Sequence, residues 1–237
     1  MKVKIILNPY ANRWRAKKRI PAIKQSFETV GLPYDLVLIP EAGGGKQEAM
    51  KAVDQGYDAV VAAGGDGTVN EVVNGLIEQA GNQVTHPLGV LPVGTGNDFN
   101  AMSKLPNDLL ASAQTIARGQ TRQVDAGRVT LDGTVHYFDN NCALAMEPMV
   151  TIENLEMTRL RGNLRYMIAV IRALTKLKAW QMRISWDGGE HEGPMYLLSV
   201  CNSPRTGGIF HMAPQAIMDD GLFDFVFAPE LPKLIVL

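Results

Sequence analysis

Two glycine-rich segments of the chain combine the residue types that bind phosphate and a divalent cation. The first is Gly64-Gly65-Asp66-Gly67-Thr68, in which unhindered backbone amides flank a carboxylate. The second is Val93-Gly94-Thr95-Gly96-Asn97-Asp98, where two glycines surround a hydroxyl group. Amides attract phosphate oxygens, whereas Asp66 would repel them unless a cation such as Mg²⁺ lay between. The pattern indicates chemistry on a magnesium nucleotide, and the simpler alternative is a pair of tight turns.

Each segment follows a predicted strand, and the first also precedes a predicted helix. Ala59–Ala63 is a short run of small and β-branched residues, typical of a buried parallel strand. Residues 69–80 repeat apolar side chains at helical spacing, and Thr68 followed by Glu71 predicts a capping box at the start of that helix. Leu88–Pro92 predicts the next strand. Because ligands bind at the carboxyl ends of parallel strands, we expect the two loops to form one crevice.

Two better-known phosphate loops do not fit these segments. The first segment lacks the third glycine of the dinucleotide fingerprint. Gly43-Gly44-Gly45-Lys46 has Pro40 where a P-loop needs its first glycine, and Gln47 where it needs Ser or Thr. We expect Lys46 to begin a solvated helix that ends near Gln55.

The two glycine segments, with the residues that follow them to Leu76 and Phe99, closely resemble the catalytic domain of diacylglycerol kinases and of bacterial, YegS-like lipid kinases. Asn8-Pro9 matches the opening turn of that family. Cys201–Gly208 and Ala213–Asp224 are similar to motifs of its second domain. The first glycine segment is shared with NAD kinases and phosphofructokinases, whereas the second glycine segment and the Asp-Asp-Gly-Leu sequence ending at Leu222 are specific to lipid kinases.

The resemblance implies a fold, a reaction and a set of site residues. The fold would be an N-terminal NAD-kinase/phosphofructokinase-like α/β domain with a second, β-sandwich-like domain that is incomplete at its C-terminal end. ATP and Mg²⁺ would be required, and diacylglycerol would become phosphatidic acid. Asp66 is the catalytic candidate, and Asp220 with the main-chain carbonyls of Ile217 and Leu222 would hold a structural Mg²⁺. The expected ATP-binding residues are Asn8, Pro9, Gly64, Gly65, Asp66, Gly67, Thr68, Asn70, Glu71, Gly94, Thr95, Gly96, Asn97 and Asp98.

The chain departs from the family pattern at several points. Ala145 and Glu147 stand where the family usually has Gly and Asp, and Pro40-Glu41 where members often carry a nucleotide-contacting Thr. Family members continue past residue 237 to an Asp-Gly-Glu segment that supplies the proposed catalytic base. The similar string Asp187–Glu190 is predicted to be a hairpin turn. We therefore expect this 237-residue form to bind nucleotide but to transfer phosphate poorly.

The pattern of predicted secondary structure changes near residues 122–125. Before that point predicted strands near 3–8, 34–39, 58–63 and 87–91 alternate with helices near 14–30, 46–55, 69–80 and 107–118. This alternation predicts a parallel sheet with helices on its faces. After it come β-rich runs at 124–131, 135–145, 182–186, 196–201 and 223–227, interrupted by one helix over about 163–179. We place an ATP-binding domain at 1–123 and a lipid-substrate domain at 124–237.

Composition limits the classes of partner. Among 237 residues, 23 Lys and Arg balance 24 Asp and Glu, so nucleic acid is not an expected partner. A basic cluster, Arg13, Arg15, Lys17, Lys18 and Arg19, is either a solvated surface or an attractor of nucleotide phosphates or anionic lipid headgroups. No apolar run reaches the ~18 residues of a membrane span. Cys142 and Cys201 form no disulfide framework, which favours a reducing compartment.

We therefore expect the protein in the cytoplasm, where it would meet a lipid substrate at the inner face of the membrane. We also expect a homodimer. The basic amphipathic helix near 163–179 would either pack on the second domain's sheet or lie in the membrane interface. Two other functions stay open: an NAD-kinase-like enzyme acting on a soluble acceptor, and a truncated nucleotide- or lipid-binding module without catalysis.

Overall fold

The structure, a computed structural model, describes residues 1–81, 85–157 and 162–230. The chain forms two compact units, Met1–Asn140 with Met218–Gly221, and Asn141–Ile217 with Leu222–Leu237. The sequence prediction drew its boundary at 123/124, where the strand–helix alternation ends. The structural division falls after Asn140 because a β-hairpin docks on a helix of the first unit. Residues 231–237 of the predicted second domain lie outside the described residues.

The first unit has a parallel sheet and a hairpin. Its elements are β1 (Val3–Leu7), a 3₁₀ turn (Ala16–Arg19), α1 (Ile20–Val30), β2 (Tyr34–Leu38), α2 (Gly44–Asp54), β3 (Ala59–Gly64), α3 (Asp66–Ala80), β4 (Leu88–Pro92), α4 (Asp98–Met102), α5 (Leu109–Ala117), β5 (Gly127–Leu131) and β6 (Thr134–Phe138). Four strands pair in parallel in the order β2-β1-β3-β4, and β5 pairs with β6 in antiparallel fashion.

Helices cover both faces of the parallel sheet. On β1, Ile5 packs in a core with α1 and α5, whereas the next residue, Ile6, packs in a second core with α2 and α3. All six residues of β3 are buried, because this strand lies inside the sheet and is covered on both faces. The predicted α/β class and parallel sheet are confirmed.

Three local predictions in this unit need correction. Helix α3 begins at Asp66 with Gly65 as its N-cap, so the capping box at Thr68 is wrong: Thr68 is already inside the first turn. The helix predicted from residue 14 begins at Ile20, with Pro21 in its first turn, a position where the fixed φ of proline suits a helix start. Helix α4 was not predicted at all.

Helix α2 packs tightly along α3 and is solvated on one face only. The sequence had predicted a solvated helix beginning at Lys46. The side chain of Lys46 is ion-paired with Glu78 on α3. A Cβ atom added to Gly75 would lie 2.4 Å from the carbonyl oxygen of Lys46 and 2.8 Å from the Cβ of Ala49. Gly75 therefore permits the close approach of the two helices.

The β5–β6 hairpin is fixed to α3 by side-chain amides. The Asn74 amide donates to the carbonyl of Tyr137 (2.8 Å) and accepts from its N–H (2.9 Å), as a neighbouring strand would. Asn70 Nδ2 donates to the same carbonyl (3.0 Å) and to Asp139 Oδ1 (2.9 Å). Asp139 is 3% exposed, and this burial, with a smaller contribution from the charge of Asp66, raises its pKa to about 6.

The second unit is built on an antiparallel sheet. Its elements are β7 (Asn141–Ala145), α6 (Met146–Glu156), α7 (Gly162–Thr175), β8 (Trp180–Trp186), β9 (Gly189–Cys201) and β10 (Asp224–Pro229). The strand order is β10-β9-β7, and β8 pairs with the first half of β9 through a two-residue turn at Asp187-Gly188. The predicted β-rich second domain and the hairpin at Asp187–Glu190 are confirmed.

Two helices of this unit differ from the expectation. Helix α6 was not predicted, since residues 146–156 follow the β-rich run without a helix start signal. Helix α7 packs against α6 through Ala169 and Ala173, while Met167 and Ile171 are exposed. Arg172 and Lys176 both form ion pairs with Glu153 of α6. On α7 the buried residues are thus the small Ala169 and Ala173, with Ile168 and Val170 packed beside them.

A membrane-crossing helix is not found in the part of the chain that the structure describes: each helix there is too short or too polar to cross a bilayer.

We predict that Gly75→Ala lowers the free energy of unfolding by about 1–3 kcal/mol, because the new methyl group overlaps the backbone of α2. Gly67→Ala is the matched control, since an added Cβ at this other glycine of α3 meets nothing within 4 Å. Urea unfolding of the three proteins tests this, and equal stability of Gly75→Ala and the parent would contradict the packing described.

We also predict that Asp139→Asn stabilises the protein at pH 7.5. Because the folded-state pKa of Asp139 lies above its unfolded value, the folded state binds more protons between about pH 4 and pH 6, so stability falls as pH rises through that window. The neutral amide keeps an acceptor for Asn70 and removes the buried charge. The gain should approach about 3 kcal/mol at pH 7.5 and vanish near pH 4. Unfolding of the variant and the parent at three pH values measures this gain in stability. A gain that does not change with pH would contradict the prediction.

Candidate active site

The loop between β3 and α3 places a helix N-terminus at the carboxyl edge of the sheet. Gly65 has extended backbone angles and its carbonyl accepts from Thr68 N–H (2.9 Å), closing the first turn. A Cβ added to Gly64 would lie 2.2 Å from Thr68 Oγ1, so only glycine fits there. The amides of this first turn before Thr68 have no acceptors within the helix, and they lie at the positive end of its dipole.

The two glycine loops lie in direct contact. The N–H groups of Val93 and Gly94 both donate to the carbonyl of Gly64, at 3.1 and 2.9 Å. A Cβ added to Gly94 would lie 2.2 Å from the Cα of Gly65. Asn97 has a left-handed backbone (φ 52°), and its side-chain oxygen accepts from Gly94 N–H (3.1 Å). The structure therefore brings the two predicted phosphate loops together.

Asp66 lies at the junction of these loops. Its Oδ1 accepts from the N–H of Phe99 (3.0 Å), the second residue of α4. Burial raises the pKa of Asp66, the N–H of Phe99 opposes that rise, and the charge of Asp98 adds to it. Asp98 is itself buried, whereas Thr95 is exposed at the tip of its loop. Of the two acids, Asp66 is the one presented to the crevice.

Asn8 connects the loop after β1 to the loop after β3. Its N–H donates to the Ala63 carbonyl (3.0 Å) and its amide nitrogen to Thr68 Oγ1 (3.1 Å). Its amide oxygen accepts from Tyr10 N–H (3.0 Å), across the buried Pro9. The side chain of Asn8 thus braces two loops, and the sequence did not indicate this use.

Glu71 also serves the scaffold. Its two carboxylate oxygens accept from the N–H groups of Gly43 and Gly45, each at 2.9 Å, at the start of α2. A Cβ on Gly45 would lie 2.7 Å from Glu71 Oε2, which explains the glycine there. The residue that was predicted to belong to a capping box on its own helix caps the neighbouring helix instead. Asn70, as described, binds the hairpin.

Three residues with clear roles were missed from the sequence: Asn74, Asp139 and Asp125. Asp125 Oδ2 accepts from Gly221 N–H (2.8 Å), and its own N–H donates to the carbonyl of Met218 (2.7 Å). These bonds hold residues 218–221 against the segment before β5. The polar sequence Asp139-Asn140-Asn141 inside an otherwise apolar run was the available signal for a special position.

The predicted structural metal site falls on that clamped segment. Asp220 belongs to the first unit, and Ile217 and Leu222 flank the segment in the second. Within the described residues no three acidic, His or Cys side chains form a ready metal cluster. A site here would depend on main-chain carbonyls together with Asp220.

The second unit buries the polar residues of its own motif. Asn202 and Ser203, at the end of β9, are almost completely inaccessible, and Ser203 N–H donates to Asn141 Oδ1 (3.4 Å). Burial raises the pKa of Glu147, which accepts from Thr206 Oγ1 (3.3 Å). Glu147, which departs from the family pattern, is thus a partly buried carboxyl group.

Known proteins and family models match both units. Residues 2–129 match the model of the diacylglycerol kinase catalytic domain, and residues 140–237 match that of the YegS C-terminal NAD kinase beta sandwich-like domain. Diacylglycerol kinases from two strains of Staphylococcus aureus, bovine RF122 / ET3-1 and MRSA252, are each 32% identical over 230 residues, which is 97% of this chain and 71% of the relative.

Solved structures agree with the fold. A diacylglycerol kinase structure from Bacillus anthracis strain Sterne aligns with a TM-score of 0.70 and 23% identity, covering 99% of this chain and 76% of that one. Another structure from the same organism has a TM-score of 0.73 over 96% of this chain and 75% of its own. Together with the two matched models, these relatives show that the chain belongs to the diacylglycerol kinase catalytic-domain family of lipid kinases.

Proposed function

We propose that this protein transfers the γ-phosphate of ATP to the free hydroxyl of diacylglycerol, giving phosphatidic acid for phospholipid metabolism. The observation that supports this most directly is the contact of the two glycine loops around Asp66 at the N-terminus of α3. Phosphoryl transfer requires chiefly positioning and charge neutralisation, and this arrangement offers both.

ATP would lie across the two loops. Its phosphates would receive hydrogen bonds from the amides of residues 64–68, while the exposed hydroxyl of Thr95 faces them from the other loop. The helix dipole favours negative charge at this point. Gly96 and Asn97 would shape the second loop, Asn8 would hold the first in place through Thr68, and Glu71 would hold the N-terminus of α2 beside it.

Mg²⁺ fits the residues present. Asp66 offers a hard oxygen ligand at the start of α3, where its Oδ1 accepts from the Phe99 N–H. Asp220 with the main-chain carbonyls of Ile217 and Leu222 offers an all-oxygen donor set for a second, structural Mg²⁺. When bound, the first ion would neutralise charge on the β- and γ-phosphates.

The acceptor would be met at the cytoplasmic face of the membrane. The basic cluster from Arg13 to Arg19 is exposed, and the neighbouring Trp14 is 62% exposed. Anionic lipid headgroups attract such clusters, and tryptophan favours the interfacial region. These features support peripheral binding through the loop after β1.

We predict that Asp66→Ala weakens the Mg²⁺-dependent part of ATP binding by about 1–3 kcal/mol, the scale of a lost charge-assisted contact. Asp187→Ala, on an exposed turn of the second unit, is the control and should bind ATP as the parent does. Calorimetry with and without Mg²⁺ measures the effect. Equal affinity of the Asp66→Ala variant and the parent would remove Asp66 from the site.

We predict that vesicles containing diacylglycerol and anionic lipid bind the protein at low salt, and that replacing the five basic residues of the cluster by Gln lowers the bound fraction at least 10-fold, since each contributes about 1 kcal/mol near such a surface. Replacing the exposed Lys24 and Lys178 by Gln is the matched control. Flotation at two salt concentrations measures the partition. Parent protein that stays wholly in the aqueous fraction would favour a soluble acceptor.

A further inference from the structure

We propose that Tyr10 and Trp14, in the loop after β1, form the seat of the nucleobase, and that the base stacks on the ring of Trp14. The proposal rests on the proposed function and adds to it the part of the site that recognises the nucleoside. The ligand class is a purine nucleoside triphosphate. The sequence had indicated neither residue as a binding group.

The two rings form an exposed aromatic corner. Their centroids lie 4.4 Å apart, and the ring planes meet at 81°. Tyr10 is 38% exposed and Trp14 is 62% exposed. A planar base in such a corner can stack on one ring while its edge meets the other. Exposed aromatic rings of this kind serve as stacking platforms for bases of any sequence, because every base has a π-face.

Hydrogen bonds hold the corner at the carboxyl edge of the parallel sheet. The Tyr10 hydroxyl donates to the carbonyl of Pro40 (2.7 Å), in the loop after β2. The backbone N–H of Trp14 donates to the carbonyl of Tyr10 (3.2 Å). The side chain of Tyr10 thus joins the loops that follow β1 and β2. Open α/β sheets bind their ligands at this edge.

The corner is connected to the first glycine loop through Asn8. The amide oxygen of Asn8 accepts from Tyr10 N–H, while its amide nitrogen donates to Thr68 Oγ1. In the strand order β2-β1-β3-β4, the ends of β2 and β3 are two strand spacings, or about 10 Å, apart. The ribose of a nucleotide separates the base from the phosphates across such a gap. Phosphates at residues 64–68 would therefore place the base over β1, at the corner.

The opposite direction along the sheet edge offers no comparable surface. It leads from β3 to the loop after β4, and Phe99, which follows that loop, is only 4% exposed. Among the loops that the structure describes at this edge, the loop after β1 alone presents exposed aromatic rings. Stacking would thus orient the nucleotide across β1, and the second glycine loop would contact its phosphates.

The backbone of the loop after β1 is strained in a way that builds the corner. Asn12, Arg13 and Trp14 are three consecutive residues with positive φ, at 49°, 55° and 68°. This left-handed region is unfavourable for bulky L residues. The resulting turn brings Trp14 back against Tyr10, four residues earlier. Strained backbone of this kind clusters at ligand sites, where surrounding contacts maintain it.

The corner offers ring faces more than hydrogen-bonding groups. The Tyr10 hydroxyl is already bonded to Pro40, so recognition would depend on the area of the stacked rings. Purines have a larger π-face than pyrimidines, and adenine and guanine have nearly the same ring area. The protein should therefore bind ATP and GTP with similar affinity and CTP more weakly.

Calorimetry with Mg-ATP and with Mg-tripolyphosphate, which has no base, tests the assignment. Trp14→Ala should bind Mg-ATP at least about 5-fold more weakly, the scale of a lost base–aromatic stack, and should bind tripolyphosphate as the parent does. Trp14→Phe keeps a ring and should retain most of the affinity. Trp180→Ala is the matched control, since Trp180 is 57% exposed and lies in the second unit. Parent-like ATP affinity of Trp14→Ala, or an equal loss for tripolyphosphate, overturns the proposal.

Tryptophan fluorescence reports the stack directly. The chain has 3 Trp residues, so replacing Trp180 and Trp186 by Phe leaves Trp14 as the emitter. Mg-ATP should quench this emission at saturation, whereas Mg-tripolyphosphate should leave it unchanged, because only the base contacts the indole ring. Unchanged emission at an ATP concentration that calorimetry shows to be saturating for the same variant overturns the stacking on Trp14.

Vesicle flotation separates this use of Trp14 from membrane binding. One ring cannot stack on a base and enter a bilayer at the same time. Trp14→Ala should keep its vesicle-bound fraction within about 2-fold, because the five residues of the basic cluster supply the attraction. Loss of vesicle binding with unchanged ATP affinity assigns Trp14 to the membrane and overturns the proposal.

A lipid kinase assay distinguishes failure of this proposal from failure of the proposed function. Trp14-dependent ATP binding without phosphorylated lipid from dioctanoylglycerol would contradict the proposed function and leave the base site in place. Phosphorylated lipid formed by Trp14→Ala at the parent's KM for ATP would overturn the base site and leave the proposed function in place.

Discussion

Helix α3 is the part on which the rest of the site depends, because its polar side chains hold every neighbouring segment. Asp66 accepts from α4, Thr68 from Asn8 of the loop after β1, and Glu71 from the N-terminus of α2. One turn further, Asn74 pairs with the hairpin as a strand would. A single helix therefore sets the relative positions of four segments, and its own N-terminus lies at the carboxyl edge of the sheet.

This arrangement concentrates negative charge where phosphates would bind. Burial raises the pKa of both Asp66 and Asp139, with the charge of Asp98 adding to the rise at Asp66 and the charge of Asp66 adding to the rise at Asp139. An anionic ligand would deepen that repulsion unless a divalent cation accompanied it. The dipole of α3 and the N–H of Phe99 offset part of this repulsion. On the proposed function, this electrostatic balance would favour a metal-bound nucleotide over a free one.

Sequence reasoning succeeded where local pattern and tertiary structure agree. The strands of the parallel sheet were predicted to within one or two residues, because continuous apolar runs between glycine turns leave few alternatives. It failed where one residue type serves several purposes. Thr68 and Glu71 have the spacing of a capping box, yet Thr68 binds Asn8 and Glu71 caps another helix. No local pattern distinguishes these uses, since both partners are distant in sequence. The domain boundary has the same difficulty, because β5 and β6 look like the second unit in composition and dock on the first.

The β5–β6 hairpin is bound to the same helix that carries the glycine-rich motif. Asp139 follows β6, and β6 is held to α3 by Asn70 and Asn74, so side-chain amides on one helix fix the position of this buried carboxyl group. Amides suit this purpose because they offer a donor and an acceptor without charge, and so bind backbone without adding to the field at Asp66. The two asparagines of the glycine-rich motif therefore serve the scaffold, whereas its glycines permit the close contact of the two loops.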